Sequence, residues 1–142
     1  MRGNARLSPH IHLIMSKTVV VIGATGQQGG SVVRSILEDP QLSKEYSIRG
    51  TTRDPSKAGA QELAKKGVEI VKADIEDPAS LRKAFEGVHV VFANTVTIYD
   101  GNAYEHEVTH GRALADAAIA ASVPFYISVS YTHLTLPTIL RV

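Results

Sequence analysis

The chain has 142 residues, 44% of them hydrophobic, which is enough for one ordinary core and too little for a full second, substrate-binding domain. Its 15 basic and 14 acidic residues leave a formal net charge of +1, which argues against the basic footprint that direct nucleic-acid binding needs. With no cysteine there is neither a disulfide framework nor a thiolate metal site. No apolar run approaches the roughly 20 residues that span a bilayer, so a reducing compartment is expected, cytoplasmic with the nucleus as a further address.

Residues 1–16 read as an N-terminal extension: Arg2 and Arg6 stand without any acidic residue, and Met15, directly before the first strand, is an alternative start. From Lys17 onward, short β-branched runs alternate with amphipathic stretches, the mark of βαβ units around a parallel sheet. Thr18 to Ile22 predicts a strand buried on both faces. Gly29 to Leu37 predicts a helix with Val32, Val33, Ile36 and Leu37 inward, stopped by Asp39-Pro40. Tyr46 to Arg53 is the second strand, Pro55 to Lys66 a helix broken at Gly67, and Val68 to Lys72 the third strand. Asp77, as N-cap, and Pro78 open a helix that Gly87 ends. Val88 to Ala93 is the fourth strand, Tyr104 to Ala121 a long helix, and Pro124 begins the fifth strand. Right-handed crossovers then predict a Rossmann-like, doubly wound parallel α/β sheet of strand order 3-2-1-4-5, truncated after strand five.

The segment Gly23-Ala24-Thr25-Gly26-Gln27-Gln28-Gly29 leaves a buried strand and runs straight into a helix. In that context a glycine pattern is informative: Gly23 for the tight turn, Gly26 for close approach to a pyrophosphate, Gly29 for close helix packing. The N–H groups at the helix start face the anion. A dinucleotide is therefore the expected ligand. An NAD protein usually ends its second strand on a carboxylate for the ribose 2′-hydroxyl, but this chain has Thr52 and Arg53 there. Arg53 suits a 2′-phosphate, with Lys57 as a second charge, so NADP is favoured over NAD. The alternative, Asp54 as the ribose acceptor, stays open at this point. Asp74 and Ile75 follow strand three, where they can meet the adenine edge and face. Asn94 and Thr95 follow strand four, where ligands of open α/β sheets collect.

With Gly23-Ala24-Thr25-Gly26-Gln27-Gln28-Gly29-Gly30, Thr52-Arg53-Asp54 and Glu107…Gly111…Leu114-Ala115-Asp116-Ala117, the chain resembles the NmrA-like family of atypical short-chain dehydrogenases over Lys17 to about Ile127. The resemblance implies that Gly23, Thr25, Gly26, Gln27, Gln28, Arg53, Lys57, Asp74, Ile75, Asn94 and Thr95 sit at or beside cofactor positions. It further implies one of two roles. The first is an NADP-binding sensor of cofactor state or transcriptional co-regulator that engages a protein partner such as a transcription factor. The alternative is an NADP-dependent oxidoreductase whose catalytic half lies outside this chain.

Val129 to Thr138 reads residue for residue as one translated frame of a transposase sequencing adapter, so residues 128–142 are expected to be a non-native tail and residues 17–127 the NADP-binding part. His106-Glu107-Val108-Thr109-His110 matches H-E-x-x-H, but no third ligand follows at a suitable spacing, so no metal is expected there. The same holds for His10 and His12. No tyrosine is followed four residues on by lysine, the acid pair of short-chain reductases, so the catalytic residues are unknown at this point.

Overall fold

A computed structural model describes residues 16–95, 100–129 and 138–141. The N-terminal extension, the His10 and His12 pair, and residues 130–137 of the adapter-like stretch lie outside the described residues.

The sheet grows from β1 (Lys17–Ile22), whose residues after Lys17 are all β-branched and whose Val19 to Ile22 alternate between two separate cores. Val20 and Ile22 face one side and Val19 and Val21 the other. On one flank β1 pairs in parallel with β2 (Tyr46–Thr52), which in turn pairs with β3 (Glu69–Lys72). On the other flank it pairs in parallel with β4 (Val90–Asn94), and β4 with β5 (Phe125–Val129). The first five strands therefore run 3-2-1-4-5, as the sequence predicts.

Two layers of helix cover the sheet. On one face, α1 (Gln27–Glu38) contributes Val33 and α3 (Ala58–Lys65) contributes Leu63 to a core with Ile48 and Val68. On the other, α4 (Pro78–Ala84) and α5 (Ala103–Ala120) contribute Leu81, Leu114 and Ala117 to a larger core around Phe85, Val91, Val123 and Tyr126. The Asp77 carboxylate accepts from the N–H groups of Ala79 and Ser80, as its N-cap position requires. Gly67 and Gly87, with φ of +93° and +69°, let the chain leave α3 and α4 in a left-handed turn. Arg49, on β2, ties this layer to the sheet by donating to the carbonyls of Ala84 (2.7 Å) and Glu86 (3.1 Å) while pairing with Glu69.

Two features depart from the sequence reading. A short helix, α2 (Leu42–Glu45), follows Asp39-Pro40, seeded by the Asp39 carboxylate accepting from the N–H groups of Gln41 and Leu42. The described sheet also has six strands rather than five. β5 continues through Ser128 and Val129 beside Ala93 and Asn94, and β6 (Thr138–Arg141) pairs antiparallel along its outer edge. An open edge strand offers a row of unpaired backbone groups, and a β-prone segment nearby satisfies them whatever its origin.

Candidate functional site

At β1 the strand order reverses, because the chain crosses from β2 and β3 on one side to β4 on the other. The loops leaving the carboxyl ends of β1, β2, β3 and β4 diverge there and enclose a crevice. Its volume is about 380 Å³, and its walls come from Gly23 and Thr25 after β1, Thr51 to Asp54 and Lys57 at and beyond the end of β2, Ala73 to Glu76 after β3, Asn94 at the end of β4, and His110 and Leu114 on α5.

The β1 wall is shaped by glycine. Gly23 has φ of +70°, and its carbonyl accepts from the Gly26 N–H at 2.9 Å, closing a turn. α1 starts hard against that turn: a Cβ on Gly29 would stand 2.2 Å from the Gly23 oxygen. Gly26 occupies the N-cap of α1 in an extended conformation and supplies no side-chain cap to the first N–H groups of the helix. Thr25 packs toward α3, where its methyl would lie 3.4 Å from a Cβ on Gly59.

The β2 wall carries the charge. Arg53 and Lys57 both line the crevice, and Lys57 is also the N-cap residue of α3. Between them Asp54 is held on several atoms. Its N–H donates to Thr52 Oγ1, its carbonyl accepts from Lys57 N–H, and its Oδ1 accepts from both the N–H and hydroxyl of Ser56. Those two bonds from Ser56, first the hydroxyl and then the amide, hold the Asp54 carboxyl below the usual carboxylate range, with Lys57 and Lys72 adding smaller pulls the same way. A side cavity of about 290 Å³ adjoins on the far side of Arg53, among Lys72, Asp74, Asp77, Ser80 and Lys83.

On the β3 wall Asp74 is a turn residue as well as a lining one: its carboxylate accepts from Glu76 N–H and its own N–H donates to Ser80 Oγ. Ile75 lies beside it and packs on the larger core. At the end of β4, Asn94 Oδ1 is buried with no hydrogen-bond partner among the described residues. An acceptor kept out of water without a donor is costly unless something brings one, and Asn94 lines the crevice.

Of the residues singled out in the sequence, Gly23, Thr25, Arg53, Lys57, Asp74, Ile75 and Asn94 share this crevice. Gly26, Gln27, Gln28 and Gly29 form the cap and first turn of α1 directly behind Gly23 and Thr25 rather than its lining. Thr95 is buried at 5% exposure, and its hydroxyl donates to Glu107 Oε1 at 3.4 Å instead of facing the crevice. The H-E-x-x-H segment divides three ways: His106 pairs with Asp100 at 3.0 Å, Glu107 is buried against Thr95, and His110 lines the crevice. Among the described residues no group of three or more His, Asp or Glu side chains is placed to hold a metal ion.

Sequence reasoning did not place His110, Leu114 or Glu76 in the crevice. Helical spacing carries the signal for the first two: with Glu107 inward on α5, the positions three and seven residues further on share its face.

A turn built on Gly23, a helix start without a side-chain cap, cations at the end of β2 and, at the end of β4, a buried acceptor with no donor among the described residues fit an elongated ligand with anionic and hydrogen-bonding parts. Together with the strand order, they define a Rossmann-type α/β nucleotide-binding domain. The family model described as the NmrA-like family matches residues 15–135, and the chain belongs to that family.

Over 129 residues the chain is 35% identical to an NmrA-like family domain-containing oxidoreductase of Penicillium ochrochloron, covering 87% of this chain and 38% of that protein. It spans well under half the length of the curated relatives it matches. Among solved structures, it is similar to the Citrobacter sp. triphenylmethane reductase complexed with NADP(H), with a TM-score of 0.67 at 30% identity over 81% of this chain and 37% of that one. It is also similar to NmrA, a negative transcriptional regulator, in complex with NADP, with a TM-score of 0.64 at 26% identity over 80% of this chain and 33% of that one.

Proposed function

We propose that residues 17–127 bind NADP(H) in the crevice and form the cofactor-holding part of an NmrA-like oxidoreductase. The observation that carries the reading is the pair of cations, Arg53 and Lys57, on the β2 wall, with the one carboxylate between them tied to Ser56. That wall matches a 2′-phosphate better than a bare ribose, because a guanidinium forks onto phosphate oxygens and an ammonium adds a second charge. Gly23 to Gly29 hold the pyrophosphate: the glycine turn removes side chains from its path, and the start of α1, with Gln27 and Gln28 in its first turn, supplies N–H groups. Asp74 and Ile75 border the adenine, one as hydrogen-bond acceptor and one as apolar cover. Asn94 and Thr95 belong to the nicotinamide end, Asn94 by direct contact and Thr95 by holding the end of β4 against Glu107. When bound, the reduced cofactor supplies a hydride at its nicotinamide, and these residues bind and orient it. Several curated relatives, those of Penicillium ochrochloron and Aspergillus hancockii among them, are named oxidoreductases, which supports a redox role for the whole protein.

A second reading is a sensor of cofactor state or transcriptional co-regulator acting through a protein partner. One observation favours it: the similarity to a negative transcriptional regulator.

Calorimetric titration with NADP, NADPH, NAD and NADH tests the site. NADP and NADPH should bind at least tenfold more tightly than NAD and NADH, and Arg53→Ala should remove most of that difference, about the strength of one hydrogen bond to a charged group per tenfold. Absence of binding to any dinucleotide refutes the site. Sustained oxidation of NADPH by the full-length protein with a quinone or dye acceptor supports the oxidoreductase, whereas tighter binding of the oxidised form without turnover supports the sensor.

A further inference from the structure

The loop that offers Arg53 and Lys57 also contains a carboxylate that should oppose them. Asp54 lies between the two cations in sequence and lines the same crevice. A carboxylate at the end of strand two is the usual means by which a dinucleotide fold accepts the ribose 2′-hydroxyl of NAD, and it repels the 2′-phosphate of NADP. Both chemistries are therefore encoded within five residues, and the structure has to decide between them.

The decision lies in Ser56. Its amide and its hydroxyl both donate to the same oxygen of Asp54, Oδ1, at 3.0 and 2.5 Å. The backbone on either side is fixed too: Thr52 Oγ1 accepts from the Asp54 N–H and donates to its carbonyl, each at 3.2 Å, and the Lys57 N–H reaches that carbonyl at 3.4 Å. Asp54 is committed to its own turn, and its negative charge is drawn onto two donors of the loop. Resting on the NADP reading above, we propose that Ser56 is a specificity-determining positioning residue that keeps the Asp54 carboxylate off the ribose, so that Arg53 and Lys57 alone face the 2′ position. Ser56 itself need not touch the cofactor. It acts through Asp54, and the ligand class it selects is the 2′-phosphorylated dinucleotide.

The amide of Ser56 survives any substitution except proline, so the hydroxyl is the testable half. Losing it leaves the Asp54 carboxylate held by the Ser56 amide alone and freer to rotate toward the ribose. The experiment measures Kd for NADP and for NAD on the same preparations of the wild type, Ser56→Ala, Ser56→Thr, and Ser56→Ala combined with Asp54→Asn. For Ser56→Ala the preference for NADP over NAD should fall about tenfold, the size of one hydrogen bond to a charged group. NADP should weaken and NAD should strengthen. Ser56→Thr, which retains the hydroxyl, should keep the wild-type preference, and Asp54→Asn added to Ser56→Ala should restore it by removing the charge. A merely structural role for Ser56 would weaken both dinucleotides together, and that result, or an unchanged preference, overturns the inference while leaving the NADP site standing. Failure of the wild type to bind either dinucleotide overturns the site and the inference with it.

Discussion

At the scale of single residues, two positions separate what the fold needs from what the ligand needs. Gly29 belongs to the fold. A Cβ there would meet the Gly23 carbonyl oxygen at 2.2 Å and its carbon at 2.7 Å, and both are backbone atoms that cannot rotate aside. Gly29→Ala must therefore push α1 away from the turn, at a cost of about 1–3 kcal/mol typical of overpacking. Urea denaturation should show the loss, and dinucleotide affinity should fall in the folded fraction because the helix start has moved. Asn94 should behave in the opposite way. Its Oδ1 is buried without a donor among the described residues, so removing the side chain relieves an unsatisfied acceptor. Asn94→Ala should leave the denaturation midpoint near the wild-type value while weakening dinucleotide binding roughly tenfold, about the worth of one hydrogen bond. Equal loss of stability and affinity would mean that Asn94 serves only the end of β4.

At the scale of elements, α4 shows how local chemistry fixes the geometry of the crevice. It has only seven residues, too short to persist without help, and both ends are tied. The Asp77 carboxylate holds the N–H groups of Ala79 and Ser80 at the start, and Arg49 holds the carbonyls of Ala84 and Glu86 at and just beyond the end. Asp77→Ala should cost about 1 kcal/mol by leaving those amides unsatisfied. The loss should appear as faster amide exchange in α4, ahead of the strands. The N-cap was legible in the sequence because Asp-Pro before an amphipathic run has few other uses, and the strands because Val19 to Ile22 and Val90 to Ala93 are unbroken apolar runs. The partner of Arg49 was not legible, since its two carbonyls lie 35 and 37 residues away and only the sheet brings them together. The same reason hid the inward turn of Thr95 onto Glu107 and the place of His110 in the crevice: each depends on how α5 rolls against β4. α2 and β6 were missed because one rests on a single carboxylate and the other on a free sheet edge.

For the whole molecule, cooperativity runs through the larger core, where β1, β4, β5, α4 and α5 meet, and Tyr126 offers a way to read it. The ring is buried at 4% exposure within that core. Burial pushes its phenol up to about 12 from the ordinary 10, partly offset by a hydrogen bond with Ser128. For an acid whose folded pKa is raised, the neutral form is the one the fold favours. Stability from this group is complete below the unfolded pKa of 10 and is lost as pH rises through the folded value of about 12. Across that window the unfolded chain ionises first, and the difference is worth at most about 2–3 kcal/mol. Lysines titrate over the same range, so the informative quantity is the difference between the wild type and Tyr126→Phe in denaturant midpoint measured from pH 8 to 12. The wild-type value minus that of the variant should stay constant up to about pH 10 and fall above it, because the variant has no phenol to ionise. Parallel curves throughout would mean that the Tyr126 hydroxyl reaches solvent before the molecule unfolds, and that β5 opens separately from the rest of the sheet.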